Sequence, residues 1–145
     1  MWLLRREGAS VGERVTIGPR VKVLGVKGLV LENGAGVARD ALIDARAGLV
    51  VGRQAMVGFE SLILSWTHRF DNPEVAIRVQ GSYGRPVRIG NGAWIGARVI
   101  VLPGIDVGDD AIVGAASVVT RSVAAGAIVA GNPARDIGRR DPAGA

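Results

Sequence analysis

The chain has 145 residues, about one domain, with 48% hydrophobic residues, only 4% aromatic ones, and a net charge of +5. Zero cysteines and one histidine exclude disulfide frameworks, cysteine-ligated metals, cysteine nucleophiles and multi-histidine metal sites. The apolar runs fall far short of the ~20 residues that span a bilayer, and the arginines are scattered without interleaved aromatics, so neither a membrane span nor a nucleic-acid face is expected.

The opening Met1–Glu7 lacks the apolar core and cleavage site of a secretory leader, so a cytoplasmic protein is expected. Residues 1–10 are expected to do no more than cap the first coil. From Val11 a six-residue repeat begins. Val11, Ile17 and Val23 open one trio, Leu31, Val37 and Ile43 a second, and Val51, Val57 and Ile63 a third. After a gap, Ile89, Ile95, Val101, Val107, Val113 and Val119 hold one register through six hexads. All 15 hexads start with Val, Ile or Leu, and 14 carry a small or β-branched residue at the fifth place, Lys27 being the exception.

Such a period fits neither a helical stripe nor simple strand alternation. It fits a short strand plus a corner, three to a coil, with the aliphatic pointing inward and the small fifth residue filling the taper. The glycine that often follows the aliphatic suits a corner of unusual φ or close backbone approach. Fifteen hexads make about five coils of an all-β prism roughly 24 Å tall at ~4.8 Å per rung, too narrow for many rings.

The breaks in the repeat are as informative. Trios spaced by 20 residues put two extra residues at corners around Leu29-Val30 and Leu49-Val50. The coils are expected at about 11–68 and 87–124 of a single domain, with an extruded loop at about 69–86 and a short tail or helix at about 125–145. A loop of ~20 residues in so compact a fold is usually functional, and this one comes directly after the chain's one histidine, His68.

The ordered set Thr67-His68, Tyr83-Gly84-Arg85-Pro86-Val87-Arg88-Ile89-Gly90-Asn91-Gly92-Ala93-Trp94-Ile95-Gly96, Leu102-Pro103-Gly104, Gly114-Ala115-Ala116-Ser117-Val118-Val119-Thr120-Arg121 and Gly131-Asn132-Pro133-Ala134-Arg135 resembles the hexapeptide-repeat acyltransferases. The resemblance covers roughly residues 11–137 and is nearest the sugar and polysaccharide O-acetyltransferase branch. It implies a left-handed parallel β-helix, acetyl-CoA as acyl donor, no metal, and a homotrimer in which His68 of one subunit faces Trp94 of its neighbour. His68 would be the general base for direct attack by a sugar-type hydroxyl or an amine, a step that needs no acyl-enzyme. A backbone N–H near Gly96-Ala97 would meet the oxyanion. Backbone at Ala97, Ala115 and Ser117 would line the pantetheine arm. Thr120, Arg121 and Arg135 match the positions that meet the nucleotide phosphates, with arginine where lysine is more usual.

For the acceptor, Asp40 and Asp44 stand one coil above the histidine, and Asp71 and Tyr83 belong to the loop. The group orienting the imidazole is left open between Asp71, Glu60 and a backbone carbonyl. Ala38 stands where sugar acetyltransferases often carry Asn, a departure that bears on acceptor identity. One histidine cannot supply the zinc site of a γ-type carbonic anhydrase, and the extra domain of sugar nucleotidyltransferases is absent from the sequence. The remaining alternative is a non-catalytic hexapeptide scaffold.

Overall fold

Short strands bounded by two-residue turns stack into three parallel sheets. In the computed structural model, which describes residues 1–140, these sheets form the three faces of a β-solenoid. The first face contains Ser10–Val11, Leu29–Leu31, Leu49–Val51, Val87–Ile89 and Asp106–Val107. The second contains Thr16–Ile17, Gly36–Val37, Met56–Val57, Trp94–Ile95, Ile112–Val113 and Ala127–Ala130. The third contains Lys22–Leu24, Leu42–Asp44, Leu62–Leu64, Ile100–Val101 and Val118–Val119.

The hexad aliphatics stack in register as three inward columns. Val11 pairs with Leu31, Leu31 with Val51, Val51 with Ile89, and Ile89 with Val107. Ile17, Val37, Val57, Ile95 and Val113 run down the second face, and Val23, Ile43, Ile63, Val101 and Val119 down the third. Small fifth-place residues such as Ala35, Ala41, Ala55, Ala93 and Ala111 are fully buried between them, completing one hydrophobic core.

The corners divide the two roles expected of glycine. The second-place glycines serve close approach: a Cβ on Gly58 would lie 2.6 Å from the Gly96 carbonyl carbon, and one on Gly96 would lie 2.7 Å from the Ala115 nitrogen. The left-handed backbone falls instead on the fourth place, mostly on non-glycine residues including Arg20, Asp40, Glu60, Arg98 and Ala116. That conformation is disfavoured for L residues. It is offset here by hydrogen bonds from fourth-place N–H groups to third-place carbonyls of the preceding coil, as in Arg98 to Phe59 at 2.8 Å and Ala116 to Ala97 at 2.9 Å.

The longer corners span residues 25–28, with a 3₁₀ turn at Val26–Gly28, and residues 45–48, so they precede Leu29-Val30 and Leu49-Val50, which are not corners but paired strand residues with Leu29 and Leu49 buried in the core. At the amino end, the one-turn helix Trp2–Arg6 covers the first coil; Arg5 donates to the Val11 carbonyl at 2.8 Å, and Leu4 packs on the core. Val11, Ile17 and Val23 are only partly buried in this end coil.

Two further segments differ from expectation. The excursion is not wholly a loop, since Trp66–His68 pairs antiparallel with Ser82–Gly84 as a two-stranded ribbon. Its tip is closed by Gln80, whose amide accepts from Asn72 N at 3.1 Å and donates to Asn72 O at 2.9 Å. The tail forms strands rather than a helix. Val123 bridges to Val107, Ala127–Ala130 adds a sixth rung to the second face, and Arg135–Arg139 folds back antiparallel upon it. The physical reason is that Ala127 and Val129 continue the inward alternation of a strand, while Gly131-Asn132-Pro133 reverses the chain. The rest of the expected tail, residues 141–145, lies outside the described residues. No helix among the described residues is long and apolar enough to cross a membrane.

The core gradient is measurable. Ile95→Ala, at a fully buried position, should cost about 2–5 kcal/mol. Ile17→Ala in the half-open first coil should cost clearly less. Denaturant midpoints at matched slope check the order, and equal losses would contradict the packing described.

Candidate active site

His68 is the last residue of the outgoing ribbon strand and is exposed. Its side chain makes no hydrogen bond among the described residues. Neither carboxylate considered for orienting it is engaged with it. Glu60 accepts from Arg98 Nε at 2.7 Å across the corner, and Asp71 lines a cavity of about 320 Å³ with Arg69, Phe70, Tyr83 and Arg85. Tyr83 is flanked in that cavity by two guanidinium groups, Arg69 at 5.3 Å and Arg85 at 5.5 Å from the ring centroid. Register pairs Tyr83 with Thr67 and His68 with Ser82. Neighbouring pairs point to opposite sides of a ribbon, so Asp71 and Tyr83 are brought together but on the side away from His68.

Trp94 lies in the outward row of the second face, between Met56 and Ile112, and is 48% exposed. In that row Gly36 has no side chain to fill the space between Thr16 and Met56. The gap opens an apolar groove of about 520 Å³ whose walls include Val37, Arg39, Met56 and Phe59. Within one chain, therefore, His68 leaves from the third face while Trp94 stands on the second.

The two N–H groups considered for the oxyanion are not equivalent. Gly96 N–H donates to Val113 O at 2.8 Å and is committed to the sheet. Ala97 N–H donates to no group among the described residues. On the first face the same place is capped by a side chain of the next coil, as in Arg53 N to Asn91 Oδ1 and Asn91 N to Asp109 Oδ1, both 2.9 Å, whereas on the second face the Arg39, Phe59 and Ala115 N–H groups share the uncapped state of Ala97. The corner that carries Ala97 is braced from inside by buried Ser61, whose hydroxyl donates to Gly96 O at 2.9 Å and accepts from Val99 N at 3.1 Å.

One coil further on, Ala115 is exposed, but the Ser117 side chain is internal. Its hydroxyl donates to Gly114 O at 2.6 Å and accepts from Gly131 N at 3.0 Å, which leaves only backbone to line a ligand. Thr120, Arg121 and Arg135 are exposed at this end, where Ala134 N–H docks on Val118 O at 2.8 Å. Arg121 and Arg135 have no carboxylate partner among the described residues, whereas Arg139 pairs with Asp136 and Arg140 with Asp110.

The two aspartates above the histidine are already occupied. Arg20 forks onto Asp40 at 2.6 and 2.7 Å, and this hydrogen bonding holds the carboxyl below its usual range. Asp44 is 2% exposed and receives Arg46 Nε at 2.9 Å and Nη2 at 2.7 Å. The Arg46 hydrogen bond lowers the Asp44 pKa against the opposing effect of burial. Sequence reasoning passes over Arg46, Trp66 and Ser61. The serine in an otherwise alanine-rich fifth place and the tryptophan beside Thr67-His68 are the available signals.

The chain has clear relatives. The family model for the hexapeptide repeat of succinyl-transferase matches residues 86–121. WcaF of Escherichia coli (strain K12), assigned by its name to acetyl transfer in colanic acid biosynthesis, is 31% identical over 133 residues, which cover 92% of this chain and 70% of WcaF. A maltose O-acetyltransferase from Clostridium difficile 630 superposes with a TM-score of 0.86 at 27% identity, over 96% of this chain and 73% of that one. A galactoside acetyltransferase in complex with coenzyme A superposes with a TM-score of 0.83 at 25% identity, over 97% and 69%.

The buried pair has a pH signature. A lowered carboxyl pKa contributes stability that is complete above the unfolded value, ~3.9, and is lost as pH falls through the folded value. Asp44→Asn should therefore be less stable than the parent at pH 7, with the gap closing below about pH 4. Thermal unfolding from pH 7 to 2 reads this, and a gap independent of pH would remove the charge from the explanation. By sequence along nearly its whole length and by its parallel three-faced coil, the chain belongs to the hexapeptide-repeat acetyltransferases.

Proposed function

We propose that this protein moves an acetyl group from acetyl-CoA to a hydroxyl or amine of a sugar or glycan-type acceptor. The observation that carries the reading is the 31% identity to WcaF over 92% of the chain. It is supported by an exposed histidine on a ribbon extruded from the same prism.

In the step proposed, the acceptor O–H or N–H attacks the thioester carbonyl carbon. His68 takes the acceptor proton, and the carbonyl oxygen becomes an oxyanion. Collapse of that intermediate breaks the C–S bond, and the imidazolium returns its proton to the departing coenzyme A thiolate. The free Ala97 N–H is the donor suited to the oxyanion, because a preorganised amide is aimed without reorganisation cost. Thr120, Arg121 and Arg135 form the unpaired basic end suited to the nucleotide phosphates, and planar guanidinium groups bind phosphate well. Ala115 and Ser117 would contribute backbone along the arm. No step in this sequence calls for a metal.

The working unit in this reading is a homotrimer in the cytoplasm. The separation of His68 and Trp94 on different faces, and the exposed apolar side chains of Met56, Phe59 and Trp94, both suit a site closed by a neighbouring prism. Asp71 and Tyr83 would then reach the acceptor from the outer side of the ribbon. Asp40 and Asp44 would serve the acceptor only through the arginines that already hold them.

His68→Ala should reduce acetyl transfer by about 10²–10⁴-fold while leaving calorimetric acetyl-CoA binding within a few-fold of the parent. Transfer near the parental rate would refute the base assignment, and absence of acetyl-CoA binding to folded parent protein would favour a scaffold. Sedimentation equilibrium should return three times the chain mass of 15.0 kDa; a stable monomer would contradict the shared site.

A further inference from the structure

The histidine arm starts at a point where the chain leaves a rigid prism, and something must set its direction. Beyond Ile63 the third-face strand runs through Leu64 and buried Ser65, then departs as Trp66-Thr67-His68. Two hydrogen bonds fasten the root of the arm: Ala47 N–H donates to Ser65 Oγ at 3.0 Å, and Arg85 N–H donates to Ser65 O at 2.9 Å. Neither reaches past Ser65 toward His68.

Beyond it, besides pairing with its own returning strand, the arm is met by Arg46 of the preceding coil. Its guanidinium is stacked over the Trp66 ring at 5.3 Å. The same group is held in plane by the two-pronged bond to Asp44, and Arg46 N–H adds a third bond to Asp44 Oδ1 at 3.2 Å. On the returning strand Gly84 is the register partner of Trp66. A Cβ there would collide with Ala47 Cβ and come within 2.7 Å of Trp66 Cε3. The indole is thus confined by Arg46 and by a strand that has given up its side chain. Asp44 is also the one charged residue that is buried among the described residues.

Burying a carboxylate is costly, and a buried ion pair often adds little net stability over apolar packing. A planar cation on an aromatic ring, by contrast, specifies a direction. We propose that Asp44, Arg46 and Trp66 form a clamp that positions His68, with Asp44 orienting Arg46, Arg46 holding the indole, and the indole aiming the arm. They are positioning residues, and none need touch substrate. The inference rests on the reading of His68 as the base. His68 stands two residues beyond Trp66, about 6.6 Å along a strand, so a tilt at the indole is carried directly to the imidazole. Misplacement by ~1 Å can cost as much as 10²-fold in rate.

The chain's single histidine makes the test direct, because one imidazole Cε1–H signal reports the arm. Arg46→Lys keeps the charge beside Asp44 but loses the plane, and Trp66→Leu leaves the ion pair whole. In both variants the prism should stay folded and acetyl-CoA affinity should stay within twofold. The His68 signal should broaden or split, and the Arg69 amide, bonded to Gly81 O in the parent, should exchange at least tenfold faster. Parental His68 signals and exchange rates in both variants would overturn the clamp. So would loss of the fold in Arg46→Lys beside an unchanged arm in Trp66→Leu, since the pair would then serve stability alone. Because no turnover is read, an active His68→Ala would remove the base assignment without touching this result.

Discussion

Successive coils of this protein lie one strand spacing apart at every corner, and that constraint organises the rest of the molecule. It forbids a side chain at the second place of many hexads, where even a Cβ would meet the backbone of the adjacent coil. It also sends the chain through the left-handed region at the fourth place, where the N–H finds the carbonyl of the coil before it. Corners set in this way fix the aliphatic columns, since parallel register places each inward side chain over its counterpart one rung away. The strain and the compensation are local and repeat together, so the prism extends by addition of coils.

The same stacking decides which polar groups remain for chemistry. Third-place amides of the first face, such as those of Arg53 and Asn91, are capped by Asn or Asp of the next coil, while those of the second face, Ala97 among them, are left free, and at Ala97 the corner is stiffened from within by Ser61. Charges behave alike. Arg20 with Asp40, Arg88 with Asp106 and Asp109, Arg98 with Glu60, and Arg140 with Asp110 join neighbouring coils. Exposed pairs of this kind contribute little stability individually. Among the arginines left without a carboxylate in the described residues are Arg121 and Arg135 at the last coils and Arg69 and Arg85, which flank Tyr83.

Much of the fold is legible in the sequence because a hexad states its inward residue directly. The register from Ile89 to Val119 can be read one residue at a time, and the stacked columns reproduce it. The tail is less legible. Val123 falls at a fifth position of the hexad frame, but it opens a new rung beside Val107, because that last coil is two residues shorter than the repeat. The ribbon is also hidden, since antiparallel pairing of Trp66–His68 with Ser82–Gly84 joins residues that no six-residue frame connects.

For the proposed site, sequence order is enough to single out His68, Trp94 and the Thr120-Arg121 end, because these stand at landmarks: the base of an excursion, an aromatic in a chain nearly without them, a basic corner in the last hexad. It does not reveal that Asp44 is consumed by Arg46, or that Tyr83 faces away from His68. Both depend on side-chain direction, at a corner in one case and across a ribbon in the other. The sequence by itself determined the three-sided coil, its register and the place where the chain departs from it, because each is set by short-range periodicity under one steric rule. Only the tertiary structure decided which amides are capped, which arginines find a carboxylate and which way the arm points, because those outcomes turn on contacts between coils and strands that the six-residue frame does not connect.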